Sequence, residues 1–400
     1  MVDLESLAQI GPTKDGGVTR LALSAVDMEG RNWFRALVLA DGFEFREDGV
    51  GNQSALLRST LNPEARTLLA GSHLDSVPNG GKYDGPLGVL SAFEALRTIR
   101  ESGLRLPVHL EAINFTDEEG SVLGMLGSHG LTGHLRREEF ALAKGGGAAL
   151  QEGMQRIGIT AESALAAGRD PQSLAGYVEL HIEQGTRLES AHIDIGAVTS
   201  IVGIRWFWLR FAGQAAHAGT TPMDRRADAM LGAARFVQQA RECVMQRYLP
   251  GVVNCGQLYV QPGAFNIVTA EARLALEFRH ATEEQLDEME ADLLGLARAI
   301  ANECGLMLDI EALTRHEAAR MDERVVAAIE SAAGALGLSH TRLASFAGHD
   351  AQSLCRVTPS AMLFVPSVGG ISHNPREYTR RQDVINGANV LLNTLLALSK

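Results

Sequence analysis

Four hundred residues with a formal net charge of −12 exceed what one small core needs and point to two domains. The acidic balance argues against nucleic-acid backbones and anionic membranes as partners. Hydrophobic residues make up 46% of the chain, ordinary for a soluble globular protein, and no apolar run is long enough to span a bilayer. The four cysteines, Cys243, Cys255, Cys304 and Cys355, are scattered without a C-x-x-C pair, which fits a reducing compartment. The start, Met1-Val2-Asp3-Leu4-Glu5, is acidic and polar, unlike a secretory leader, so the expected location is cytoplasmic.

In chain order, Trp33, Phe34, Leu37 and Val38 share a helical face that stops at Gly42. Phe43 to Arg46 reads as a short strand and 48–52 as a turn. A buried strand over 67–72 runs into Gly71-Ser72-His73-Leu74-Asp75-Ser76-Val77, and a glycine-rich turn then carries Asp84. Leu87, Leu90, Phe93, Leu96 and Ile99 mark a helix, and Pro107 to Phe115 a second buried strand ending in Thr116-Asp117-Glu118-Glu119-Gly120. Residues 126–175 read as helical with glycine interruptions at 145–147, and a strand over 176–183 delivers His181, Glu183 and Gln184. This alternation predicts a doubly wound α/β domain.

The texture changes near residue 204. A strand over 204–211, the loop Gly213–Pro222 with His217, a helix over 227–247, strands over 252–260 and 265–280, a helix over 283–304 and a strand over 306–312 follow. Together they predict an inserted α+β domain, two helices on an antiparallel sheet. In its second long strand Ala272, Leu274, Leu276 and Phe278 alternate with Arg273, Ala275, Glu277 and Arg279, giving one buried face. After Asp322 the α/β pattern returns, with a helix over 323–336, the loop Phe346-Ala347-Gly348-His349-Asp350, a strand over 361–365, the segment Gly369–Pro375 with His373, and a terminal helix. The expected domains are 1–203 with 318–400, and 204–317.

Four strand ends of the α/β part thus offer metal-type ligands: His73 with Asp84, Glu118 with Glu119, His181, and His373. Singly each reads as a loop histidine or a solvated acidic turn. Jointly they belong at the carboxyl edge of one sheet, where such folds place their sites. Imidazoles with carboxylates suit Zn, Mn, Co or Ni better than Ca or Mg, and Asp84 in its flexible turn is the natural bridge if two ions bind. Asp75, two residues beyond His73, points the same way and is placed to hold that ring. Glu118 and Glu119 are adjacent, so one can ligate while the other acts as general base; the residues alone leave open which does which.

The same elements, with Tyr83-Asp84-Gly85, His181-Ile182-Glu183-Gln184-Gly185 and Gly348-His349-Asp350-Ala351, run in family order over nearly the whole chain. They resemble the amidase, hydantoinase and carbamoylase branch of the M20 family of dinuclear metallohydrolases. The resemblance implies two divalent ions per subunit, His73, Asp84 and His181 on one and Asp84, Glu119 and His373 on the other, with Glu118 as the base. It also implies that His217 stabilises an oxyanion, reaching in from the partner of a homodimer formed through the inserted domain. Gln184, Asn266, Arg279 and Gly348 would bind substrate. His181 is informative, since peptidase branches usually carry a carboxylate there. The expected substrate is a small ureido acid, an N-carbamoyl-L-amino acid first, with allantoate as the rival. A β-ureidopropionase, an N-acyl or dipeptide hydrolase, and an inactive dimeric binding protein rank below these.

Overall fold

The computed structural model describes residues 1–400. Its strands in chain order are β1 (Glu44–Glu47), β2 (Gln53–Leu57), β3 (Thr67–His73), β4 (His109–Phe115), β5 (Leu174–Ile182), β6 (Ile195–Ile201), β7 (Gly203–Ala212), β8 (Val252–Gln261), β9 (Glu271–His280), β10 (Met307–His316), β11 (Ala319–Arg320), β12 (His340–Ser345) and β13 (Ser360–Val365). The chain divides into two compact units, one of residues 1–199, 321–343 and 347–400, the other of 200–320 and 344–346.

The larger unit is mixed α/β, its sheet ordered β1-β2-β4-β3-β5-β13-β6 with β12 beside β6. The central four strands, β4-β3-β5-β13, are mutually parallel, while β2 and β6 join them antiparallel. β4 and β13 are buried along their whole length, as β3 is beyond Thr67, as expected where helices cover both faces of a parallel sheet. The helix Pro86–Glu101 carries its buried stripe of Leu87, Leu90, Phe93, Leu96 and Ile99 against β3, β4 and β5. Proline at its first position suits a helix start, where the missing N–H has no partner to lose. All four parallel strands end on the same edge, and so deliver His73, the 117–119 segment, His181 and the loop to His373 side by side.

The smaller unit is an antiparallel sheet, β10-β7-β9-β8, covered by the helices Ala229–Arg247 and Glu283–Glu303. β9 alternates strictly, with Ala272, Leu274, Leu276 and Phe278 buried and Arg273, Glu277 and Arg279 facing outward. Phe207, Phe211, Phe236 and Leu293 complete that core. No helix of either unit is long and apolar enough to cross a membrane.

Several elements depart from expectation. β2, β6 and β12 have no counterpart in the sequence reading. The stretch 126–175 is broken into short pieces, the longest being Gly146–Arg156, because glycines at 127, 130, 133, 145–147, 153 and 158 disfavour a continuous helix. The strand expected from residue 265 begins only at Glu271. Residues 266–268 instead pair with the His217 loop through Ala218 N–H to Asn266 O and Val268 N–H to Ala216 O.

Candidate metal centre

His73 is the last residue of β3 and is fully buried. Its Nδ1 lies 3.1 Å from the main-chain oxygen of Asp75, and 3.7 Å from the Asp75 carboxylate. The ring is therefore held by the backbone, and the Asp75 side chain takes a different task, accepting the Glu119 N–H at 3.2 Å. His181, near the end of β5, repeats the arrangement with Nδ1 2.9 Å from Ile182 O. A carbonyl can only accept, so each Nδ1 donates and each Nε2 is the ring atom turned toward the cluster. His73 Nε2 is buried without a hydrogen-bond partner, and His181 Nε2 is buried against Asp84.

Those nitrogens converge on Asp84. Its Oδ1 is 3.0 Å from His181 Nε2 and 3.8 Å from His73 Nε2, whereas Oδ2 is 3.4 Å from His373 Nε2. Glu119 closes the second group at 3.5 Å from His373 Nε2. In each trio, His73–Asp84–His181 and Asp84–Glu119–His373, the candidate ligand atoms lie within 4.8 Å of one another. Ligands at about 2.0–2.1 Å from a tetrahedral ion stand about 3.3 Å apart, so the observed separations need little closing. An orphaned imidazole nitrogen on His73 and a carboxylate divided between two ligand groups fit divalent metal ions.

Electrostatics follow the same division. Burial depresses His73 to about 4, outweighing the attraction of Asp84. Burial also acts to depress His181, but Asp84 at hydrogen-bond distance prevails and holds it at about 9. Burial would raise Asp84, yet the adjacent His181 pulls it well below the usual carboxylate range. Glu118 stands 3.5 Å from His73 Nε2, and burial, then Asp350 and Glu119, push its carboxyl well above the ordinary value. A carboxyl of raised basicity beside ligand groups is what a general base requires.

Gln184, a candidate for the substrate, reaches the cluster and donates from Nε2 to Asp84 Oδ2 at 2.8 Å. Gly348 lies beside Met125, whose Cε would be 3.1 Å from an added Cβ. In the smaller unit, His217 Nδ1 accepts the N–H groups of Gly219 and Thr220 at 3.1 and 3.2 Å, which leaves the proton on Nε2 as an outward donor. The loop pairing described above sets Asn266 beside it. Arg279 faces outward, bound to Glu277 at 2.8 Å and to Phe346 O at 2.9 Å.

Four buried groups have no role in the sequence analysis. Glu179 lies two residues before His181, accepts from Ser72 Oγ at 2.8 Å and from Ala351 N–H at 3.0 Å, and strand alternation could have found it. His349 packs edge-on against His181 with ring centres 4.5 Å apart. Asp117, at φ +54°, gathers the N–H groups of Val122, Leu123 and Gly124 and so shapes the loop that bears Glu118 and Glu119. Glu377 binds the turn that carries Asp84.

A family model described as Peptidase family M20/M25/M40 matches residues 69–397. An N-carbamoyl-L-amino acid amidohydrolase of Geobacillus stearothermophilus is 37% identical over 399 residues, 99% of this chain and 97% of that protein. An allantoate amidohydrolase of Bacillus subtilis (strain 168) is 35% identical over 401 residues, 99% and 96% of the two chains. Among solved structures, an amidase of the hydantoinase/carbamoylase family from Burkholderia multivorans superposes with a TM-score of 0.91 at 35% identity, covering 100% of this chain and 96% of that one.

Proposed function

Since the chain belongs to the M20/M25/M40 peptidase family, we propose that this hydrolase is a metal-dependent amidohydrolase that cleaves the ureido C–N bond of N-carbamoyl-L-amino acids. The observation that carries the reading is the Asp84 carboxylate, one oxygen turned to His73 and His181 and the other to His373, with the basic Glu118 beside them. The relative named as an N-carbamoyl-L-amino acid amidohydrolase, similar over 99% of the chain, supports the substrate class. Allantoate is the second reading, favoured by the relative named for it; both molecules set a ureido group close to a carboxylate.

His73, Asp84 and His181 would hold one divalent ion and Asp84, Glu119 and His373 another, of Zn, Mn, Co or Ni type. Bound there, such ions supply Lewis acidity toward water and the ureido carbonyl. Glu118 accepts a proton from the attacking water and returns it to the departing nitrogen. His217 of the partner subunit would donate to the oxyanion that forms on the carbamoyl oxygen. Gln184, Asn266 and Arg279 bind the substrate carboxylate, for which the Arg279 guanidinium fork is geometrically matched. One water is consumed per substrate, and the products are the amino acid, ammonia and carbon dioxide.

We place the enzyme in the cytoplasm, as a homodimer formed through the smaller unit. β8 is an edge strand there and exposes Val252, Leu258, Tyr259 and Val260, and an unpaired apolar edge is a pairing surface. The deciding assay is ammonia release across N-carbamoyl-L-amino acids, allantoate, N-carbamoyl-β-alanine and dipeptides, with Mn, Co, Ni or Zn added. Turnover of the first group is expected to dominate. Full activity after exhaustive chelation, or a preference for dipeptides, would overturn the proposal.

A further inference from the structure

We propose that Glu377 is a positioning residue that fixes Asp84 between the two ligand groups, so that metal affinity depends on a side chain that is itself no ligand. The inference rests on the metal-binding reading above and extends it to how the shared carboxylate is held.

Asp84 sits in a turn whose own sequence provides little rigidity, with glycines at 80, 81 and 85. Backbone this permissive needs external partners to settle in one conformation. Glu377 provides them. Its Oε1 accepts the main-chain N–H groups of Tyr83 and Asp84 at 3.0 and 3.1 Å. Its Oε2 lies 2.9 Å from the Ser372 hydroxyl, whose single proton is shared between Glu377 and Asp84 Oδ2, 2.8 Å away. The main chain and the side chain of Asp84 are thus gripped at once. The turn is moulded to the glutamate as well: a Cβ on Gly81 would lie 2.0 Å from the Glu377 carboxyl carbon.

The grip comes from a segment that also bears a ligand. Ser372 immediately precedes His373, and Glu377 N–H closes back on Asn374 O at 3.0 Å. Residues 372–377 therefore join His373 to Asp84 through protein contacts, and the spacing between the two trios is set by this joint. Glu377 is buried, 5% exposed, so its loss would leave two N–H donors in a site with little access to water. Such unpaired donors are costly, and the turn would rearrange to rehydrate them. A ligand carboxylate displaced by more than a few tenths of an ångström no longer meets coordination geometry.

The test is Co(II) titration of chelator-stripped protein, read by visible absorption, beside far-UV circular dichroism of the metal-free form. Glu377→Ala is expected to fold yet bind Co(II) about 10–100-fold more weakly, the range found when outer partners of metal ligands are removed, with an altered d–d band. Glu377→Gln keeps an oxygen acceptor for both N–H groups and is expected to stay within about threefold of the parent, a rescue that a general loss of packing would not show. A folded Glu377→Ala variant with the parent's affinity and spectrum would overturn the proposal. So would a folded Gln variant that binds Co(II) more than about tenfold more weakly than the parent, and this arm decides the matter if Glu377→Ala does not fold. A parent protein that takes up no Co(II) would instead fell the metal-binding reading itself.

Discussion

Gly85 tests whether the His73 ring is as tightly placed as its role demands. The residue adopts φ +79° and ψ −57°, and a Cβ there would stand 2.4 to 2.6 Å from the Cε1, Nδ1 and Nε2 atoms of His73. Non-bonded heavy atoms settle at about 3.5 to 4.0 Å, so Gly85→Ala must drive ring and turn apart by about 1 Å. Two destabilising effects combine: about 1–3 kcal/mol for an L-residue in this backbone region, and about 1–3 kcal/mol for overpacking a buried site. The sum, about 2–6 kcal/mol, lies below or near the usual total stability of about 5–15 kcal/mol. The variant should therefore fold, at a clearly lower urea midpoint. The functional cost is larger, because metal–ligand distances tolerate only about 0.2 Å. Competition against a chromophoric chelator should show the ion held by His73, Asp84 and His181 bound at least about tenfold more weakly. The site of Asp84, Glu119 and His373 should be less affected. Parent affinity for both ions in the folded variant would refute the packing argument.

Other expected outcomes concern the base, the sheet and the anchor. Glu118→Gln should lower kcat by about 10²–10⁴ while metal content is unchanged; retention of more than about a tenth of the parent rate would remove it from that role. Arg169→Met strips the bidentate partner, at 2.7 and 2.8 Å, from the fully buried Glu111, and should cost about 3–5 kcal/mol in urea denaturation. Burial acts to raise Glu111, but Arg169 outweighs it and holds the carboxyl below its ordinary 4.5. The pair's contribution is therefore complete above pH 4.5 and is lost as pH falls through the depressed folded value, whereas the Met variant should gain relative stability on acidification. Parallel pH curves for the two proteins would contradict this. Arg279→Ala should raise KM for carboxylate-bearing substrates roughly 10–100-fold, the worth of a charge-assisted bond, with kcat nearly unchanged; an unaltered KM would exclude it as the anchor.

The parallel strands were legible because each is a short apolar run broken by polar residues at the sheet edge, and that edge also exposes the ligand candidates. Alternation likewise revealed the buried face of β9. β2, β6 and β12 were not legible: they are short, and pairing with neighbours rather than internal pattern determines them. The strand expected over 265–270 failed because those residues pair with the His217 loop, a non-local preference. Asp75 was located but its task was not, since a backbone carbonyl competes for the same ring nitrogen. Glu377 was the least visible, lying in a polar turn with its partner 293 residues away along the chain. Such long-range side-chain-to-backbone contacts leave no periodic trace in sequence.

The backbone bonds at His73 Nδ1 and His181 Nδ1 divide the site into a part that is hard to alter and a part that is open to change. A main-chain acceptor persists whatever side chain its residue carries, so neighbouring substitutions leave the orientation of these two rings intact. Asp84 is supported differently, by Gln184, Ser372 and Glu377, all of which can be exchanged one at a time. Variation in metal preference among proteins built on this plan should therefore collect around the shared carboxylate and its holders, and redesign aimed at a different ion has its accessible handles at those three positions.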